Sequence, residues 1–339
     1  MSTLPVAAAP RSMAPPPLSP SRRRAKRRAA WRRRRTVLLF MSPWIVGFSV
    51  FFAYPMLDNL YLSFTHYDLL SSPVWIGLAN YRYLFGGDQQ VWPAVSNTLW
   101  FLAIAVPLQV LFAFGLAMMI TRAKMGVGIF RTIFYLPTLT PTVAATLGFV
   151  FLFNPATGPI NSLLSKLGIN GPSWFQDPHW AKPSLTLLSL WGVGNAMVIF
   201  LAAILDVPKH LYESAQIDGA NALRRLYYVT LPSISPVILF SIVIAVIQGL
   251  QYFDQAYIAS TSAAPGSLGN AGDNVSENLG YPQGSTLFYP LYLYQQGFGF
   301  FNMGYAAALS MLLLVVSLAV TLLILRNSKR WVHAAGGVR

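Results

Sequence analysis

Six stretches of the chain carry no Asp, Glu, Lys or Arg: Val37–Leu57, Ala94–Ile120, Thr132–Phe153, Pro183–Leu205, Pro232–Phe253 and Phe301–Leu325. Each reaches the roughly 20 residues that an α-helix needs to cross a bilayer. The connections between them alternate in character, and one stands apart. From Asp206 to Leu231 the chain is polar but patterned, and it reads as two short helices in water. Asp206 is placed to cap the first, and Pro208 suits its first turn. Leu211, Tyr212, Ala215 and Ile217 give that helix an apolar side. Gly219 supplies a sharp bend at no steric cost. Asp218 is then expected to accept hydrogen bonds from the first N–H groups of the second helix, which carries Leu223, Leu226 and Tyr227 on one face. Pro232 marks the return to apolar sequence.

Composition supports the membrane reading. Hydrophobic residues make up 55 % of the 339 positions and charged residues 10 %, too little charge for a soluble domain of this size. Cysteine is absent, which excludes disulfides and thiolate metal sites. The four His residues show no HExxH spacing, and no phosphate-binding GxxxxGK[ST] string occurs, so a catalytic metal or an ATP site of that kind is not expected. The predicted fold class is an all-α integral membrane protein with six transmembrane helices.

Charge then sets the orientation. Met1–Pro20 is rich in Pro, Ala and Ser, Ser21–Arg35 holds ten Lys or Arg, and 1–35 is expected to be a disordered basic tail. A cleaved signal peptide is not expected, because the apolar stretch that follows is too long and lacks a small-residue cleavage site. The N-terminal tail, Thr121–Arg131, Asp206–Leu231 and the C-terminal tail hold 11, 3, 3 and 4 Lys plus Arg, or 21 of 24. The opposite loops hold Arg82, Lys166 and Lys182 alone. Positive charge stays in the cytoplasm, so both termini and the Asp206–Leu231 loop are expected there. The permease domain is read as 36–330, with a coupling loop at 206–231, an external loop at 259–300 and a cytoplasmic tail at 331–339. Within that external loop, Ala263–Gln283 is long and rich in Gly, Asn and Ser.

Glu213, Ser214 and Ala215, then Gly219, then Val229, Leu231 and Pro232 match the spacing of the coupling-loop motif of ATP-binding-cassette importer permeases. Ser214 and Val229 stand where the motif has Ala and Ile. The chain resembles the carbohydrate, maltose-type permeases of that family, and the resemblance runs from about Val37 to Arg330. It includes Ile76 to Tyr81, Asn97-Thr98, Phe130 to Pro137, and Met303-Gly304-Tyr305-Ala306-Ala307-Ala308. It implies a transport subunit with no catalytic residue and no bound cofactor, ATP and Mg belonging to a partner ATPase. The implied docking residues are Glu213, Ala215, Asp218, Gly219, Ala220, Leu231 and Pro232. The implied partners are a second homologous permease, an ATPase dimer, an external substrate-binding protein and membrane lipid, with no nucleic acid, all at the cytoplasmic membrane.

Polar groups inside the spans mark where a solute could pass. Thr138, Thr140, Thr142 and Thr146 cluster around Pro137 and Pro141; Trp191, Gly192, Gly194 and Asn195 interrupt an aliphatic run. Gln248, Gln251 and Asp254 follow at steps of three, which on a continuous helix gives one stripe about 120° wide, with Tyr252 and Phe253 beside it. Aligned on the coupling motif, Gln248, Gln251 and Asn195 fall where the family has sugar-contacting side chains. Thr142, Asn195, Gln248, Gln251, Tyr252 and Asp254 are therefore the candidate pathway residues, against helix–helix hydrogen bonding for each Gln and a solvated helix end for Asp254. With no Lys or Arg in the spans, a neutral sugar or oligosaccharide fits better than glycerol phosphate or a peptide. An ion-coupled secondary transporter would need a midplane ionisable group or a broken-helix cation site, and neither is evident in the sequence.

Overall fold

A computed structural model describes residues 20–123, 125–265 and 278–328. The tail 331–339, most of Ala263–Gln283 (Gly272 included) and residues 1–19 lie outside the described residues.

The chain divides into two compact units, Met1–Asp58 and Asn59–Arg339. In the first, α1 (Pro20–Phe48) runs through one π turn, Ser49–Ala53, into α2 (Tyr54–Leu62). The helix thus begins inside the stretch expected to be disordered. Ala, Arg and Lys are strong helix formers, and 20–35 joins the apolar helix without a breaker between them. Trp44, Phe48 and Phe52 stack along it with centroids 5.4 and 6.1 Å apart. Its apolar side chains are exposed, Phe40 at 79 % and Phe51 at 75 %, which no helix in water would sustain over this length.

In the second unit, a two-residue antiparallel ladder pairs Thr65 with Trp75 and His66 with Val74. Next come α3 (Ala79–Gly86) and the long α4 (Val91–Arg122). The chain continues as α5 (Val127–Tyr135), a 3-10 turn (Leu136–Leu139), α6 (Thr142–Leu152), α7 (Pro159–Lys166), α8 (Pro178–Trp191) and α9 (Gly194–Asp206). Two short helices, α10 (Lys209–Ile217) and α11 (Ala222–Arg225), lead through a π turn into α12 (Leu231–Ser233). The last described helices are α13 (Ser235–Leu250), α14 (Asp254–Ala263), α15 (Tyr289–Tyr294) and α16 (Met303–Ser328).

Helix α4 is the spine of this unit: α8, α9, α13 and α15 all pack on it. Phe101 at its middle meets Tyr252 at 4.2 Å and Phe288 at 5.4 Å. Further along, Ala113, Leu116, Ala117 and Ile120 meet Met197, Phe200 and Ile234. Three polar anchors fix its first turns. Asn97 donates to the carbonyls of Gly284 and Leu287 at 2.8 and 3.0 Å. Lys182 donates to Asn97 Oδ1 and lies over the Trp100 ring. The buried carboxylate of Asp88 accepts from the Tyr292 hydroxyl at 2.5 Å, from the Tyr305 hydroxyl, and from the Gln90 amide. A buried acid is tolerated when its lone pairs are filled in this way.

Three helices are long and apolar enough to cross a membrane as they stand: 31–62, 91–122 and 303–328. The stretches expected as the third, fourth and fifth spans are interrupted. Between 127–139 and 142–152 the axis turns by 100°, and between 178–191 and 194–206 by 49°. A further 71° bend at Ile234 separates 222–233 from 235–250. The fifth expected span then ends at Leu250, and the chain restarts as a helix only at Asp254. The described parts of 259–300, expected as an external loop, are folded, with Leu287, Phe288, Leu291 and Tyr292 in the core.

Two glycines serve space. A methyl group on Gly194 would lie 2.6 Å from the Phe134 carbonyl oxygen, so only Gly lets α9 start against the end of α5. One on Gly304 would meet the Thr65 carbonyl, and the Gly304 amide donates to Tyr67 O at 3.2 Å. The small residues that open α16 do allow close approach.

Candidate functional site

The breaks at 140–141, 192–193 and 251–253 meet at one cavity of about 480 Å³, and the bend at Ile234 lies away from it. Pro137, Thr138, Thr140 and Thr142 line it from the first break, Trp191, Gly192 and Asn195 from the second, and Gln251, Phe253 and Asp254 from the third. Pro137 sits in the 3-10 turn, and Pro141 stands at the N-cap of α6, where a missing N–H costs nothing. At the second break α8 ends on Trp191 and α9 starts at Gly194. Each break brings the carbonyl end of one helical segment beside the amide end of the next.

All six candidate pathway residues line this cavity: Thr142, Asn195, Gln248, Gln251, Tyr252 and Asp254. They reach it differently from the expected stripe. Gln248 is on α13, Gln251 is its C-cap, and Asp254 is the first residue of α14. The chain turns between them, so they share a cavity wall rather than a helix face. Broken helices are thus present, at 140–141, at 192–193 and after Leu250. The side chains of Gln248, Gln251 and Asn195 make no hydrogen bond among the described residues. Tyr252 differs from the rest: it is 7 % exposed, its ring packs on Phe101 and Phe288, and its hydroxyl donates to Leu185 O at 3.4 Å. It belongs to the cavity's supporting core. Thr146 and Thr138 spend their hydroxyls on the carbonyls of Thr142 and Tyr135.

Gln109 on α4, with Ser189 and Gln255, also lines the cavity and escapes the sequence reading. Gln109 was findable, since a Gln within an apolar span asks for a polar partner. Among the described residues no group of three His, Asp or Glu side chains is placed to hold a metal ion.

The loop between α9 and α13 is built by local rules. Helix α10 ends in a Schellman motif: Ala220 N donates to Ala215 O at 2.8 Å and Gly219 N to Gln216 O at 3.0 Å, with Gly219 at φ +75°. That is the left-handed turn that glycine adopts at a helix end. A methyl group on Gly219 would meet nothing within 4 Å, so this chain needs glycine there for its backbone angle and not for room. Two expected caps differ. Asp206 closes α9, and the first position before α10 is Pro208, with no side-chain cap. Asp218 is the C-cap of α10, near-helical at φ −73° and ψ 4°, whereas Asn221 is extended at ψ 174° and accepts from Arg224 N at 2.9 Å. An N-cap needs an extended backbone, so Asn221 takes that role.

Underneath, Tyr212 and Thr230 share a hydrogen bond at 3.0 Å, tying α10 to the stretch before Pro232. Ala215 and Ala220 are half-buried, while Glu213, Asp218 and Gly219 are exposed. Large apolar groups project outward with them, Ile217 at 87 % and Leu223 at 73 %. Glu213 has no ion-pair partner among the described residues.

Residues 109–333 match the family described as binding-protein-dependent transport system inner membrane component. The chain is 38 % identical over 296 residues to the probable ABC transporter permease protein YesP of Bacillus subtilis (strain 168), covering 87 % of this chain and 90 % of that one. It is 32 % identical over 295 residues to the arabinooligosaccharides transport system permease protein AraP of the same organism, covering 86 % and 87 %. In structure it resembles a chain of a bacterial ABC transporter involved in the import of the acidic polysaccharide alginate, with TM-score 0.71 and 26 % identity over 89 % of this chain and 99 % of that one. The cavity at the helix breaks and these likenesses lead to one conclusion. The chain belongs to the family of binding-protein-dependent inner-membrane components, as a multi-pass permease subunit of an ABC transporter with no enzymatic activity of its own.

Proposed function

We propose that this subunit imports a neutral sugar or oligosaccharide through the cavity at the three helix breaks. The observation that carries the reading is the chemistry of the cavity wall. Gln109, Gln248, Gln251 and Asn195 offer amides, Thr140 and Thr142 hydroxyls, Trp191 and Phe253 aromatic faces, and no Lys, Arg or His is among them. Amides both donate and accept, as sugar hydroxyls do. The paired helix ends at each break carry dipoles of opposite sign that largely cancel, so they suit hydroxyls better than ions. The volume lies within the range of ordinary ligand pockets. AraP is named for arabinooligosaccharides, which are neutral. The transporter of acidic alginate would want cations that this wall lacks.

The same reading gives the assembly. Six spans, three of them bent, cross the cytoplasmic membrane with both termini inside. The pathway closes against a second homologous permease, on which the first span packs, and an external binding protein delivers the solute. ATP and Mg are held by a partner ATPase dimer, whose closure reaches this chain through α10 and α11. The 21-to-3 division of positive charge supports the orientation. A cysteine at Gly87 should react with an impermeant thiol reagent on whole cells, and one at Gly126 should not; the reverse pattern would invert the topology.

At the loop, Gly219→Asn should retain the ATPase in the purified complex, because Asn tolerates the left-handed backbone. Gly219→Val should release it, since forcing an ordinary residue there costs about 1–2 kcal/mol and a branched one more. Retention by both variants would show that the bend is dispensable. Release by both would show that the partner's cleft, rather than the backbone angle, demands glycine.

In the cavity, each hydrogen bond to a neutral hydroxyl contributes about 0.5–1.5 kcal/mol. Gln248→Ala and Gln251→Ala should each raise the half-saturating concentration for uptake of an arabinooligosaccharide roughly threefold to tenfold. Protein level and basal ATPase rate should stay at the parent's values. Unchanged uptake at limiting substrate in both variants would make these side chains structural, and failure to assemble would assign them to helix pairing.

A further inference from the structure

We propose that Asp254 is a charge filter of the solute cavity, disfavouring anionic sugars such as uronates, sulfonates and sugar phosphates while admitting neutral ones. The proposal rests on the reading that solute passes through this cavity. Asp254 is the one Asp, Glu, Lys, Arg or His among the residues that line it. It is exposed and has no ion-pair partner among the described residues. Its neighbours along the wall, Gln251 and Gln255, are uncharged, so nothing there neutralises it. A single charge in a cleft with low-dielectric walls acts over the whole cleft, because field lines are focused through the water it contains.

The place of Asp254 in the fold supports a wall role. It opens α14 immediately after the third break, where the chain swings from the end of α13. As the first residue of a helix it also meets the favourable end of the helix dipole, and a purely structural role would be satisfied by that contact. The two roles separate by readout: loss of the dipole contact affects the start of α14, whereas loss of the formal charge changes the potential in the cavity. Asn keeps the size and shape of the Asp254 side chain at this first helical position, after the N-cap Phe253, and leaves the cavity without a formal charge.

The chain contains no cysteine, so one reporter thiol can read the cavity potential. In membrane vesicles carrying the full-length chain with its native partners, Thr142→Cys would be titrated with a cationic and an anionic methanethiosulfonate of similar size, trimethylammonium-ethyl and sulfonato-ethyl. Modification of this chain is followed by mass spectrometry. The cation-to-anion rate ratio should fall roughly threefold to tenfold at low salt when Asp254→Asn is added, and less at 0.1 M salt and above, where screening sets in within about 10 Å. Asp254→Glu should keep the parent ratio, which guards against a fold defect in the Asn variant. A ratio unchanged within twofold by Asp254→Asn overturns the filter. Failure of the thiol to react with either reagent would instead show the cavity closed to water, and would overturn the pathway reading itself.

Discussion

A helix breaks inside a bilayer only where something other than lipid receives the freed backbone groups. Each unpaired N–H or C=O in hydrocarbon costs several kcal/mol. This constraint governs the structure. Three helical stretches break, and the three breaks meet at one polar cavity. The surrounding helices do not break: α4 runs 32 residues through Pro107 without interruption and holds α8, α9 and α13 around it. The rigid element supplies position and the broken ones supply chemistry. In lipid no hydrophobic force draws helices together, so close packing does that work, at Gly194 against the Phe134 carbonyl and at Gly304 against Thr65.

The loop at Glu213 is held by local devices instead. Its shape comes from a left-handed glycine, an Asn cap and one Tyr212–Thr230 hydrogen bond. The Tyr212–Thr230 bond reaches toward Pro232 and the start of α13, the helix whose far end carries Gln248 and Gln251. In the proposed assembly, a push on α10 therefore has a short mechanical route to the cavity wall: loop, Thr230, α13, glutamines. The 71° bend at Ile234 lies on this route.

Much of this was legible in the sequence, and the parts that were not have physical reasons. Charge-free length shows where helices cross but not where they bend. Pro137, Pro141, Gly192 and Gly194 do mark the first two breaks. Gln251-Tyr252-Phe253 contains neither Pro nor Gly, so a continuous fifth helix was the natural expectation, and its end is set by Tyr252 turning into the Phe101–Phe288 cluster. Asp218 and Asn221 are equally good caps by composition. The choice between them follows from Gly219, whose Schellman turn keeps Asp218 on the first helix. The anchors Asp88–Tyr292–Tyr305 and Asn97–Lys182 join residues far apart in sequence, and no local pattern announces them.

If the cavity at the helix breaks is the route of the solute, it opens in turn to the two faces of the membrane. A cysteine at Asn195 in the assembled transporter can be exposed to an impermeant thiol reagent from each side, without nucleotide and with a non-hydrolysable ATP analogue. A cysteine on the solute route should react from one side only in each condition, with the reactive side switching between them. Reaction from the same side in both conditions, or from neither, would contradict it.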